Sequence, residues 1–291
     1  MLELLRDQQA LAIASAFVFG LLTGSFLNVV ILRLPPWLEW RWKHDSRDIL
    51  DLPQPEAPPP PGIVVEGSHC PKCGHKLAAW ENIPLLSYAL LRGRCRGCGV
   101  RISWQYPAVE LLTGVMFAVV AWRFGVSWEA LAALVFTGFV VGMSGIDLRT
   151  TLLPDGMTLP LLWLGLLLSV LGVLVPPPAT AIIGAVVGYL SLWSVYWVFK
   201  LLTGKEGMGY GDFKLLAAIG AWCGWQAILP VLLLSSLIGA IVGGAWLALR
   251  GRDRATPIPF GPFLAGAGWL QLVFQLDLLG TYLRLSGLGP S

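Results

Sequence analysis

The chain has 291 residues, 56% of them hydrophobic and 13% charged, with a formal net charge of +3 and a mean hydropathy of +0.70. Soluble domains carry about 25% charged residues, so this balance excludes a wholly soluble chain and reads as an integral membrane protein. Crossing about 30 Å of hydrocarbon takes about 20 apolar residues at about 1.5 Å each, and eight stretches reach or approach that length. They are Leu11–Leu34, Tyr106–Phe124, Trp128–Ile146, Leu153–Val175, Thr180–Leu202, Phe213–Pro230, Val231–Leu249 and Ile258–Gln275. Phe213–Pro230 fits least well, being short and interrupted by glycine.

The first stretch follows Glu3, Arg6 and Asp7 and lacks a small-residue cleavage site, so it reads as a retained anchor. Its Thr23, Ser25 and Asn28 need hydrogen bonds to a neighbouring helix, and Gly20 and Gly24 make a small-xxx-small packing face. Pro35 to Gln105 is the one stretch able to form a soluble domain. Within it, Trp37 to Lys43 mixes Trp with basic residues and suits the headgroup level. Pro53 to Pro61 reads as an extended tether.

Four of the five cysteines follow as Cys70-Pro71-Lys72-Cys73 and Cys95-Arg96-Gly97-Cys98. Two such knuckles, each giving two sulfurs from a tight turn, predict a tetrahedral thiolate zinc site. Disulfides are the competing account, which a reducing compartment disfavours. A redox pair would need a βαβ context that is missing. A site closed by four thiolates has no open position and would be structural, one ion per chain. His69 and His75 flank the first knuckle as solvated loop residues or rival ligands, and Cys223 reads as a packing residue.

Lys and Arg set the orientation. With the long polar segment cytoplasmic, all of the 20 basic residues except Arg6, Arg123 and Arg284 fall on that side, a positive-inside pattern. Asp147, Asp155 and Asp212 then lie at the cytoplasmic end.

A carboxylate at membrane depth costs a few kcal/mol or more, so each one calls for a function. Asp147, in Gly145-Ile146-Asp147-Leu148-Arg149, could by itself be a boundary residue reaching water. Asp212 follows Gly207-Met208-Gly209-Tyr210-Gly211, whose glycines let a backbone approach closely. A phosphate-cradling loop is the rival, but no strand precedes it and no G-K-[ST] ends it. Asp155 sits at a helix start and reads as an N-cap. If Asp147 and Asp212 face each other, two like charges at close range cannot both ionise and the pair would hold one proton. One oxygen could then take a proton from water while the other donates to a scissile carbonyl. Cation binding is the other chemistry open to these groups, with Asp155 or Glu110 as a third oxygen ligand. No serine triad or H-E-x-x-H can be placed among three histidines.

Gly24-Ser25-Phe26-Leu27-Asn28-Val29-Val30-Ile31 with Arg33-Leu34-Pro35, Glu81-Asn82-Ile83-Pro84, Arg92 to Cys98, Tyr106 to Leu112, Asp147 to Asp155, Gly207 to Leu215 and Pro259-Phe260-Gly261-Pro262-Phe263 together resemble the type IV prepilin leader peptidases, nearly end to end. Gly209 to Asp212 also resembles the G-x-G-D form of intramembrane aspartyl proteases. The resemblance implies that Asp147 and Asp212 are the catalytic pair and that Cys70, Cys73, Cys95 and Cys98 bind Zn2+. It implies that S-adenosylmethionine donates a methyl group, with Gly93 and Glu81 to Pro84 as candidate residues for that transfer. The implied substrates are prepilins and type II secretion pseudopilins, whose short basic leader is cut after glycine to expose a phenylalanine that is then methylated.

The expectation is therefore an all-α polytopic membrane protein of about eight transmembrane helices, with a small zinc-bound cytoplasmic domain between the first and second. Residues 1–34 form the first helix, 35–105 the cytoplasmic domain and 106–291 a seven-helix membrane domain carrying the aspartates. The expected setting is the bacterial inner membrane, with the active site cytoplasmic, lipid and pilin precursors as partners and no nucleic acid. An ion-coupled transporter using the same carboxylates and a non-catalytic assembly scaffold are the alternatives.

Overall fold

The computed structural model of the chain describes residues 9–54, 58–64, 66–250 and 259–276, without the side chains of residues 246–250. Among these residues every regular element is helical, and only isolated antiparallel bridges join His69 to Lys76 and Arg94 to Arg101. Helices satisfy their own N–H and C=O groups, which lipid requires. In chain order they are α1 (Gln9–Ile49), α2 (Leu86–Leu90), α3 (Gln105–Phe124), α4 (Trp128–Thr150), α5 (Asp155–Val170), α6 (Pro178–Thr203), α7 (Tyr210–Cys223), α8 (Ile228–Arg250) and α9 (Gly261–Phe274). Five are long and apolar enough to cross a membrane: α1, α3, α4, α6 and α8. The other three apolar stretches form shorter helices, α5 with 16 residues and α7 and α9 with 14 each. Glu3, Arg6, Asp7, Arg252, Arg254, Ile258, Arg284 and part of the Pro-rich run lie outside the described residues.

The chain divides into two compact units, Met1–Val126 and Ser127–Ser291. In the first, α1 and α3 touch backbone to backbone. A Cβ on Gly20 would lie 2.8 Å from Gly114 Cα, and one on Gly24 2.7 Å from Glu110 Cα, so the small-residue face works as expected. Buried Asn28 supplies the anticipated helix-to-helix bond, donating Nδ2 to the Tyr106 carbonyl at 3.1 Å. Thr23 instead bonds back to the Phe19 carbonyl of its own helix at 2.9 Å.

α1 does not stop at Leu34. It continues to Ile49 through Pro35 and Pro36, about 60 Å at about 1.5 Å per residue and twice the hydrocarbon thickness. Two missing N–H donors normally break a helix, but side chains one turn apart support the continuation. Arg41 lies over the Trp37 ring at 5.4 Å and pairs with Asp45 at 3.7 Å, and Trp40 stacks on His44 at 4.9 Å. The Trp-rich segment is therefore helix.

In the second unit α7 is the central element. Nearly every residue from Asp212 to Trp222 is buried, packed by α5, α6 and α9. A helix enclosed all round need not match the bilayer with its own length, which accounts for 14 residues where a full span was expected over Phe213–Pro230. It ends at Gly224 in the left-handed region, and Pro230 belongs to the first turn of α8. Trp222 Nε1 donates to the Leu161 carbonyl of α5 at 2.8 Å, and Trp269 Nε1 of α9 donates to Thr137 Oγ1 of α4 at 2.9 Å.

Candidate active site

Three helix ends meet around the two aspartates. Asp147 lies in the last turn of α4 and is 4% exposed; Asp212 lies in the first turn of α7 and is 8% exposed. Asp147 Oδ2 accepts the backbone N–H of Gly261, the first residue of α9, at 3.0 Å. That N–H is one of those a helix start leaves unpaired, so the positive ends of α9 and α7 both face carboxylates. Both aspartates border Leu153, since Gly211, next to Asp212, and Gly261, bonded to Asp147, each pack against it.

Leu153 is the spacer. A Cβ on Gly211 would lie 2.7 Å from Leu153 Cβ, and one on Gly261 would lie 3.2 Å from Leu153 Cδ1 and 2.6 Å from Asp147 Oδ2. Only glycine fits at these two positions, because any larger side chain would push the helix starts off Leu153 or displace the carboxylate. Between Asp147 and Leu153 the chain turns through Thr151, a β-branched residue at φ +52° whose N–H bonds to the Asp147 carbonyl at 2.8 Å. Such residues rarely take this conformation, and strain of this kind gathers at functional sites.

Asp155 is not an N-cap. Pro154 holds that position and makes no side-chain cap, while Asp155, one residue further, pairs with Lys214 Nζ at 2.6 Å. Glu110 is likewise engaged, accepting the Leu85 N–H at 2.9 Å. Among the described residues the one group of side chains able to hold a metal is built of cysteines, and neither Asp155 nor Glu110 belongs to it.

The sulfurs of Cys70, Cys73, Cys95 and Cys98 all lie within 4.8 Å of one another. Cys70 to Cys98 and Cys73 to Cys95 are each 3.9 Å. Zn–S bonds of about 2.3 Å place tetrahedral sulfurs about 3.8 Å apart, whereas a disulfide needs about 2.05 Å. The cluster therefore fits a four-coordinate metal, and the disulfide account falls. Backbone N–H groups of Cys73 and Lys72 point at the Cys70 sulfur, an arrangement that suits a thiolate ligand.

The supporting contacts were less legible. His75 is no ligand: its Nε2 lies 3.2 Å from the carboxylate of Glu81, a buried residue that also accepts the Ala78 N–H at 2.7 Å. Arg33 of α1 donates to the carbonyls of Gly62, Glu66 and Gly67 at 2.8, 2.7 and 3.2 Å, securing the strand of chain that leads into the first knuckle. Gly93 takes φ +67°, and a Cβ there would meet the Tyr88 hydroxyl at 2.9 Å. Tyr88 packs directly on Gly93, so this turn requires glycine.

A family model described as the bacterial peptidase A24 N-terminal domain matches residues 18–124, and one described as the type IV leader peptidase family matches residues 134–244. A protein of Xanthomonas campestris named prepilin leader peptidase/N-methyltransferase is 58% identical over 98% of this chain and 99% of its own. The chain belongs to the type IV leader peptidase family. Relatives of the same name from Pseudomonas aeruginosa and Neisseria gonorrhoeae are 49% identical over 99% of both chains and 47% identical over 89% of both. No solved structure matches the chain.

For this member of the type IV leader peptidase family, sequence reasoning named the aspartates and cysteines but not Gly261, Leu153 or the pairing of His75 with Glu81. Gly261 stood only inside a motif carried by resemblance. Nothing in its local pattern points to a partner 114 residues away.

Proposed function

We propose that the chain is a membrane aspartyl endopeptidase that removes the leader of prepilins, and of type II secretion pseudopilins, and then methylates the new N-terminal residue. The observation that supports the reading is the pair of buried carboxylates, Asp147 in the last turn of α4 and Asp212 in the first turn of α7, at helix ends that share Leu153 as a neighbour. Its relatives bear both activities in their name. The finer elements, a basic leader cut after glycine and an exposed phenylalanine, rest on the motif resemblance.

The chemistry follows from sharing one proton between two acids. The ionised carboxyl takes a proton from water, and the water oxygen bonds to the scissile carbonyl carbon. The protonated carboxyl gives its proton to the carbonyl oxygen, leaving a neutral tetrahedral diol. On collapse the C–N bond breaks, the amine nitrogen takes a proton from the first carboxyl, and a diol hydroxyl returns its proton to the second. The N–H of Gly261 holds Asp147 in place throughout, and the enclosed setting of α7 keeps bulk water away.

Cys70, Cys73, Cys95 and Cys98 would hold one Zn2+, closing its coordination and stabilising the fold rather than activating water. S-adenosylmethionine is the methyl donor implied by the activity, and Gly93 carries that assignment by motif alone. The proposed organisation is eight membrane helices, α5, α7 and α9 completing the five long ones, with residues 35–105 as the cytoplasmic insertion. The distribution of Lys and Arg supports an inner-membrane setting with the aspartates at the cytoplasmic end.

The test uses the full-length protein in detergent with a prepilin and S-adenosylmethionine, read by mass spectrometry. Asp147→Asn and Asp212→Asn should each slow leader loss by about 10³-fold or more while the protein stays monodisperse. Cleavage near the parent rate by both variants rejects the aspartate pair.

A further inference from the structure

We propose that Lys200 and Glu206 form a latch that positions Asp212 through the loop of residues 204–209. The inference rests on the aspartate-pair reading and adds two positioning residues to it. The loop Gly204-Lys205-Glu206-Gly207-Met208-Gly209 joins α6 to α7, and three of its six residues are glycine. A segment of that composition samples many conformations on its own. Asp212 follows it by three residues and must meet Asp147 within a fraction of an ångström, because misplacement by about 1 Å can cost about 10²-fold in rate.

One face of α6 removes that freedom. Tyr196, Phe199 and Lys200 lie three and four residues apart, so they share a face of the helix. Lys200 Nζ bonds to Glu206 Oε1 at 2.7 Å and to the Tyr196 hydroxyl at 3.2 Å. Its charge also lies 5.5 Å from the ring centroids of Tyr196 and Trp197. The Phe199 ring fills the space beside Gly207, where a Cβ would come within 2.8 Å of a ring carbon. Tyr196, itself buried, packs its ring 5.3 Å from that of Tyr210 and 5.7 Å from that of Phe213, residues on either side of Asp212. The middle of the loop and the first turn of α7 are thus fixed to the same face, with Lys200 bonded to both Glu206 and Tyr196.

The ion pair is solvent-facing, with Glu206 70% and Lys200 34% exposed at the side chain. Exposed pairs add little to global stability, so the latch should register in the rate rather than in the melting temperature. That separates positioning from a merely structural role.

The experiment compares Lys200→Met, Glu206→Gln, the swapped pair Lys200→Glu with Glu206→Lys, and Lys200→Arg. Each is made in the full-length protein in lipid nanodiscs, with kcat, KM and Tm measured for leader removal from a prepilin. Each single neutralisation should lower kcat about tenfold with KM changed less than about twofold, and Tm should hold. The swap should regain most of the lost rate, and Lys200→Arg should stay near the parent. Unchanged kcat in both neutralised variants overturns the latch, as does a swap no faster than the singles, or a rate loss matched by a fall in Tm. Asp147→Asn and Asp212→Asn run alongside. If they still cleave, the aspartate reading fails and the latch with it; if they are dead while Lys200→Met runs at full rate, the latch alone fails.

Discussion

Gly261 donates its backbone N–H to Asp147 Oδ2 at 3.0 Å, tying the first residue of α9 to the last turn of α4 across 114 residues of chain. The absence of a side chain permits it, since a Cβ at 261 would stand 2.6 Å from that oxygen. Gly261→Ala should therefore displace the carboxylate, lowering kcat for leader removal by about 10 to 100-fold. The rest of α9 is untouched, so Tm should fall only slightly. Parent kcat in a well-folded Gly261→Ala protein would show that the contact does not set the position of Asp147.

The four sulfurs are spaced for a tetrahedral metal and form a module in which chain order alone gives little regular structure. Purified protein should carry one zinc per chain, and Co2+ in its place should show thiolate charge-transfer bands. Stripping the metal, or Cys95→Ser, should lower Tm by about 5–10 °C. Methyl transfer should fall at least about tenfold and leader removal less than about threefold. Equal loss of both activities in protein that remains folded would contradict the separation.

Glu81 sets a pH dependence. The Ala78 N–H, followed by His75, holds its carboxyl below the ordinary value of 4.5. A carboxyl whose value is lower in the folded than in the unfolded chain adds stability above the unfolded value, and that stability is lost as pH falls through the folded one. Tm measured from neutral pH downward should therefore drop on the acid side, and Glu81→Gln should flatten that drop while lowering Tm at neutral pH. An unchanged acid limb in Glu81→Gln would assign the titration elsewhere.

Much of the site was readable because its signals are local. A C-x-x-C turn brings two sulfurs together within four residues, and two such turns already imply four ligands; the bridges between His69 and Lys76 and between Arg94 and Arg101 complete each knuckle. Asp147 and Asp212 stood out because a carboxylate beside an apolar stretch is costly wherever the helix ends. Asp155 shows the limit. Its place at a helix start suggested a cap, yet Lys214, 59 residues later, takes its carboxylate.

The sequence by itself determined the membrane setting, the helical class, the small-residue face of Gly20 and Gly24 and the cysteine cluster, and it singled out the two aspartates as candidates. Each depends on composition or on spacing within a turn or two, where the backbone fixes geometry without help. The tertiary structure decided how far α1 runs beyond Pro35 and Pro36 and that α7 needs only 14 residues because other helices enclose it. It also decided that α9 brings a backbone N–H to Asp147. These depend on contacts between distant segments, whose energies have no signature in the order of residues along the chain.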